Sequence, residues 1–141
     1  MKPTPYKPLV YPPKIILAWG EAIGGNKKIR DWLGKNGYPE LYTFVFALHL
    51  KEDAREWLQK NGYPHLLALI QGVERNKSAI VWLKENRFTI LFHMALAADG
   101  EKSSQMWLQT NARDFAHIAR KIEITKDLIQ LDHDDVHKIS G

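Results

Sequence analysis

The chain has 141 residues, 45% hydrophobic and 26% charged, a composition that suits one globular domain in water. It has no cysteine, which excludes disulfides and thiolate chemistry, and no apolar run near the roughly 18 residues that a membrane span needs. Most of its net charge of +4 lies in residues 1–14, where Lys2, Lys7 and Lys14 stand with no acid, so the rest lacks the concentrated basic excess of a nucleic-acid groove.

Residues 1–12 read as a proline-rich arm, punctuated by Pro3, Pro5, Pro8 and Pro12. Such a segment is expected to be extended or polyproline-like, either pinned across the first repeat or free. It holds no signal-peptide core, so the expected compartment is the cytoplasm.

From residue 13 the chain repeats itself. Trp-Leu occurs at Trp32-Leu33, Trp57-Leu58, Trp82-Leu83 and Trp107-Leu108, each pair 25 residues after the last. Asn36, Asn61, Asn86 and Asn111 follow at one offset, and Gly37-Tyr38-Pro39 recurs as Gly62-Tyr63-Pro64 before degrading to Arg87-Phe88-Thr89. Each unit reads as two short helices. In residues 39–63, Pro39 opens the first, Leu41, Phe44, Ala47 and Leu48 form its apolar stripe, and Lys51-Glu52 interrupts it. Asp53 and Glu56 have capping-box spacing, with Ser78 and Ser103 as equivalent caps; Ala54, Trp57 and Leu58 form the second stripe, and Asn61-Gly62 ends it.

The spacing predicts first helices near 13–23, 39–49, 64–73, 89–98 and 114–123. Second helices fall near 27–36, 52–61, 77–86 and 102–111. Residues 126–133 stand where a fifth second helix belongs, with Asp132 and His133 in place of Trp-Leu, as in a polar terminal cap. The expected fold is all-α: a right-handed α-solenoid of about four and a half helix-turn-helix repeats over residues 13–133, with a tail over 134–141.

Bulky residues at one repeat position are expected to form the inter-repeat core, which assigns that role to Trp32, Trp57, Trp82 and Trp107. The small residues Ala22, Ala47, Gly72 and Ala97 are expected to let neighbouring helices approach. Asn36, Asn61, Asn86 and Asn111 are expected to satisfy helix-end carbonyls. Glu21, Phe46, Gln71 and Leu96 vary at one position that lies about 100° round the first helix from the small column, and Tyr42 and Phe92 flank them. These six are the candidate partner-binding face.

The stretch Asn61-Gly62-Tyr63-Pro64-His65-Leu66-Leu67-Ala68-Leu69-Ile70-Gln71-Gly72, followed by Ala79 and Trp82-Leu83, resembles an ankyrin repeat. That family opens with Gly-x-Thr-Pro-Leu-His, continues with small residues and a Gly, and ends its second helix with Leu-Leu. The likeness spans residues 13–123. It implies a stack that binds protein partners on its first-helix side, but with a period of 25 residues against about 33, the difference matching the family's β-hairpin.

The six histidines form no ligand ladder. His49 and His65 are expected to be solvated or bonded to loops, and His93 and His117 to be satisfied core residues. His133 and His137 share the i, i+4 spacing of a zincin helix with Asp134 at the Glu position, but no third ligand follows, and a polar terminus is the expectation. Gly24-Gly25-Asn26 before Lys27 lacks phosphate-loop spacing and reads as a turn. The expected function is therefore non-catalytic binding of a protein or peptide, with no metal and no cofactor. The alternative is nucleic-acid or anionic-surface binding through the arm with Lys27, Lys28, Arg75, Lys77 and Lys102.

Overall fold

The computed structural model describes residues 6–140, and side chains to residue 132. Among the described residues the architecture is all-α, with no strand. The helices are α1 (Pro13–Ile23), α2 (Lys27–Lys35), α3 (Pro39–Leu48), α4 (Glu52–Lys60), α5 (Pro64–Val73), α6 (Lys77–Glu85), α7 (Thr89–Ala98), α8 (Lys102–Asn111) and α9 (Arg113–Ser140). Helices α3, α5 and α7 start 25 residues apart, and so do α2, α4, α6 and α8.

Turn chemistry explains the period. At each odd-to-even junction the chain passes through a left-handed residue, Gly25, Leu50, Arg75 or Gly100. A bond from the next residue's N–H back to the carbonyl of Glu21, Phe46, Gln71 or Leu96 closes the turn. At the even-to-odd junctions Gly37, Gly62 and Arg87 are left-handed, and the N–H groups of Tyr38, Tyr63 and Phe88 reach back to Leu33, Leu58 and Leu83. The expected Asn column does what its position suggests. The Nδ2 atoms of Asn36, Asn61, Asn86 and Asn111 donate to the carbonyls of Trp32, Trp57, Trp82 and Trp107 at 2.7–2.9 Å. The caps differ from the expectation: Asn26 and Asn76 cap α2 and α6, while Ser78 and Ser103 lie inside their helices.

The expected fifth pair is one uninterrupted helix, α9. Thr125 occupies the position of the left-handed turn residue. A β-branched side chain is strongly disfavoured there, and the helix continues. The buried Thr125 hydroxyl instead donates to the carbonyl of Ile23 at 3.1 Å.

That bond belongs to a contact between the first and last helices, which the repeat pattern alone does not specify. The odd-numbered helices pack α1 on α3, α3 on α5, α5 on α7, α7 on α9, and α9 back on α1. A Cβ at Gly20 of α1 would lie 3.2 Å from the His117 ring and 3.3 Å from Ile118 of α9. The two ends of the chain of helices thus meet. The core runs round this circuit. Trp19, Phe44, Leu69, Met94 and Ala119 stand 25 residues apart and all are buried, with the Trp19 and Phe44 rings edge to face at 5.1 Å.

The small column behaves as expected where it is smallest, since a Cβ at Gly72 would lie 3.0 Å from the Ala95 Cβ. The Trp column does so only in part, with Trp57, Trp82 and Trp107 packed against the edge of the core. Leu33, Leu58, Leu83 and Leu108 are fully buried, while Trp57, Trp82 and Trp107 are half-buried and Trp32 is 45% exposed. A helix face about 100° wide cannot bury two adjacent residues equally. The leucine takes the interior, and the indole lies over the edge.

Candidate functional site

Two of the concave regions beside the odd helices hold candidate residues or buried polar side chains. The first crosses α3 between α2 and α4. Three adjoining depressions of about 520, 760 and 330 Å³ share Tyr42, Thr43, Phe46, Arg30, Lys51 and Trp57 among their walls. Tyr42 and Phe46, one helical turn apart, meet edge to face at 5.1 Å. The Arg30 guanidinium of α2 sits 4.7 Å from the Phe46 ring centre, a cation–π contact. Lys27, Lys35, Lys51, Asp31 and Asp53 line the same groove.

This geometry revises the candidate face. Phe46, Gln71 and Leu96 are half-buried, and Glu21 alone of its column is exposed. Tyr42 lies on Gly34 of α2, and Lys84 of α6 sits 6.0 Å from the Phe92 ring. Tyr42, Phe46 and Phe92 therefore turn toward the preceding even helix rather than away from it. Among the described residues no even helix precedes α1, and Leu17, equivalent to Tyr42, is 56% exposed.

The second region lies at the even-to-odd turns, beneath the arm. The arm is pinned, but over three successive turns rather than the first repeat. Tyr11 donates its hydroxyl to Glu40 Oε2 at 2.9 Å and packs on Tyr38. The Lys7 N–H donates to the Gly62 carbonyl at 2.8 Å. Tyr6 lies edge-on to Trp82 and Phe88 at 5.5 and 5.6 Å. Gly62 is left-handed, and a Cβ there would meet the Lys7 side chain at 3.0 Å.

Under the arm sit two buried polar side chains at one repeat position, Glu40 and His65. Glu40 accepts hydrogen bonds from both Tyr11 and Tyr63, the second at 3.2 Å. Burial, then the adjoining carboxylate, pushes the Tyr11 phenol far above its ordinary range and the Tyr63 phenol up to about 12. His65 was expected among loops. It is 1% exposed and stacked on Phe88 at 4.8 Å and on Tyr63 at 5.9 Å, with both ring nitrogens enclosed beside the Lys7 backbone. Burial lowers its pKa, and the Lys7 backbone only partly opposes this. A groove of about 770 Å³ opens beside it, walled by the arm, Phe88, the start of α7 and Phe115. No sequence signal marked His65, because its burial depends on the arm.

The other histidines divide as follows. His93 is half-buried, stacked on Trp107 at 4.1 Å, with Nδ1 and the Ser104 hydroxyl hydrogen bonded at 2.9 Å. His117, expected in the core, is exposed. Its ring lies against Gly20, where α9 meets α1. His49 is exposed as expected. The side chains of His133, Asp134 and His137 lie outside the described residues. Among the described residues no three metal-ligating side chains gather, and no helix is long and apolar enough to cross a membrane.

The basic residues of the alternative reading are split by the fold. The arm lies at the even-to-odd turns, whereas Lys27, Lys28, Arg75, Lys77 and Lys102 lie at the odd-to-even turns. One odd helix separates the two ends, about 15 Å for ten residues. Arg75 is also paired with Asp99 at 2.9 Å.

No protein-family model, no curated protein and no solved structure matches the chain.

Proposed function

We propose that this protein is a non-catalytic binding module for a protein or peptide, and that the groove across α3 is its contact site. The stack is read as a short right-handed solenoid of four helix pairs and one long helix, wound until its ends touch. The carrying observation is the half-exposed aromatic trio Tyr42, Phe46 and Trp57 in one groove rimmed by Lys27, Arg30, Lys35 and Lys51. Rigid aromatic rings with a nearby guanidinium are the residue types that carry binding energy at protein interfaces. Asp31, paired with Arg30 at 3.0 Å, and Asp53 offset part of this charge, and the remaining positive rim selects an acidic segment with an apolar anchor. The ankyrin-like character of the repeat supports the same class of function, with the site on the even-helix side of α3.

A displayed random peptide library selected against the full chain tests this. Enriched peptides are expected to pair an aromatic or aliphatic anchor with acidic neighbours. Their affinity, read by calorimetry, should fall about tenfold or more in Tyr42→Ala and Phe46→Asp and stay unchanged in Val81→Asp, on the outer side of α6. Enriched peptides that bind the first two variants as tightly as the parent overturn the assignment.

A further inference from the structure

Beyond Thr125, α9 outruns the stack. The Thr125 hydroxyl bonds to Ile23, the last residue of α1, and Lys126 pairs at 2.9 Å with Asp99, the residue that ends α7. The helix then runs on to Ser140, about 20 Å past Lys126. Ile124, Leu128 and Leu131 stand at i, i+4 and i+7, so they share one side of α9, within about 60°. They are 43%, 58% and 58% exposed, on the side opposite the buried Ile122. A stripe of this spacing is the pattern by which a helix lays its apolar face into a partner's groove.

The flanks of the stripe are acidic. Asp127 and Asp132 are exposed beside it, and the sequence from 127 to 135 holds four aspartates and no lysine or arginine. The α3 groove has the opposite character. Tyr42, Phe46 and Trp57 offer aromatic surface, and Lys27, Lys35 and Lys51 are exposed at its rim. Asp31 and Asp53 offset only part of that charge. The end of α9 is thus an acidic segment with apolar anchors, the kind of segment that this groove selects. It cannot serve the groove of its own chain. Helix α9 packs on α1, α7 and α8, whereas the groove lies across α2, α3 and α4. Reaching it would break the helix and give up the bonds to Ile23 and Asp99.

We propose that the end of α9 docks Leu128 and Leu131 in the α3 groove of a second copy of this chain, with Asp127 and Asp132 toward the lysines of the rim. This rests on reading the α3 groove as the contact site, and it names the partner. The contact joins two different surfaces, so each pair leaves one groove and one α9 free, and copies add head to tail.

Sedimentation velocity of the full chain tests this between about 10 μM and about 1 mM, the range of a small reversible interface. The average mass is expected to rise with concentration, and to rise less at high salt, because screening weakens the contacts between aspartate and lysine. The double variant Leu128→Ser, Leu131→Ser changes exposed residues only, and Tyr42→Ala changes the groove. Each should weaken association about tenfold or more with helix content unchanged by circular dichroism. Mixed together, the two variants still offer one intact groove and one intact α9, so they should form a heterodimer and no larger species. Association of Tyr42→Ala equal to that of the parent, with no heterodimer in the mixture, would mean that α9 pairs with α9 and overturns the proposal. A parent that stays monomeric to about 1 mM overturns it too. In that case, selected peptides whose binding still needs Tyr42 confine the failure to self-docking, and peptides indifferent to Tyr42 extend it to the groove itself.

Discussion

On the inner side of the molecule, Trp19, Phe44, Leu69 and Met94 share one repeat position and are all fully buried. On the outer side, Trp32, Trp57, Trp82 and Trp107 share another, yet none is fully buried and Trp32 is 45% exposed. The outer column is the more uniform in sequence and the less buried. A position lined by different large and small residues is one where each junction has been filled to its own shape. A position held by one residue type is one where the same local contact recurs. Here that contact is the indole beside the Asn that caps its own carbonyl, with Tyr63, Phe88 or His93 stacked on three of the four.

The largest effect that sharpens this contrast is at neighbouring residues of α2. Leu33→Ala should cost about 2–5 kcal/mol, as a buried large-to-small change does. Trp32→Ala should cost about 1 kcal/mol or less, because nearly half of the indole is already in water. Denaturant melts of both variants decide it, and a larger loss at Trp32 would reverse the assignment of inside and outside.

At the inner wall the approach of α5 and α7 leaves no room for a side chain at Gly72. Gly72→Val should cost about 1–3 kcal/mol by overpacking, while Gly25→Ala should be felt only through its left-handed backbone, since nothing lies within 4 Å of its Cβ. A melting temperature insensitive to valine at Gly72 would show that the two helices are farther apart.

His65 adds a dependence on pH. Burial lowers its folded-state pKa, so the unfolded chain takes up the proton first as pH falls. The stability that neutral His65 contributes is complete above about pH 6.5 and is lost progressively below it. His49 and His93, also lowered by burial, act in the same direction. The fall in melting temperature between neutral and mildly acidic solution should shrink in His65→Phe. An identical pH profile in that variant would show that the imidazole is not enclosed by the arm.

The smallest effect belongs to the outer turns. Asn86→Ala removes one exposed bond to the Trp82 carbonyl at 2.9 Å and should cost about 0.5–1 kcal/mol. A cost above 2 kcal/mol would mean that the Asn column holds repeats together rather than ending single helices.

Local rules account for what the sequence made legible. The 25-residue period, the limits of α1 to α8 to within one residue, the left-handed Gly62 and the Asn bonds all depend on groups close to one another in the chain. Side-chain patterns report such contacts directly. The Phe46 and Tyr42 positions were also legible as special, because they vary against a constant background, but their direction was not. Whether they turn to an even helix or to solvent depends on how far each pair is rotated from the last.

The remaining features depend on that rotation summed over the whole chain. Packing of α9 on α1, burial of Gly20 against Ile118, the reach of the arm over three turns and the enclosure of His65 join residues from 27 to 102 positions apart. A small change in the angle between repeats would leave every local signal intact and part all of these contacts. The sequence by itself therefore determined the repeated helices and their turns, through contacts that each repeat makes within itself. Only the tertiary structure decided which neighbour Tyr42 and Phe46 turn to, where the ends meet and what the arm covers, because those follow from an accumulated geometry that no single repeat contains.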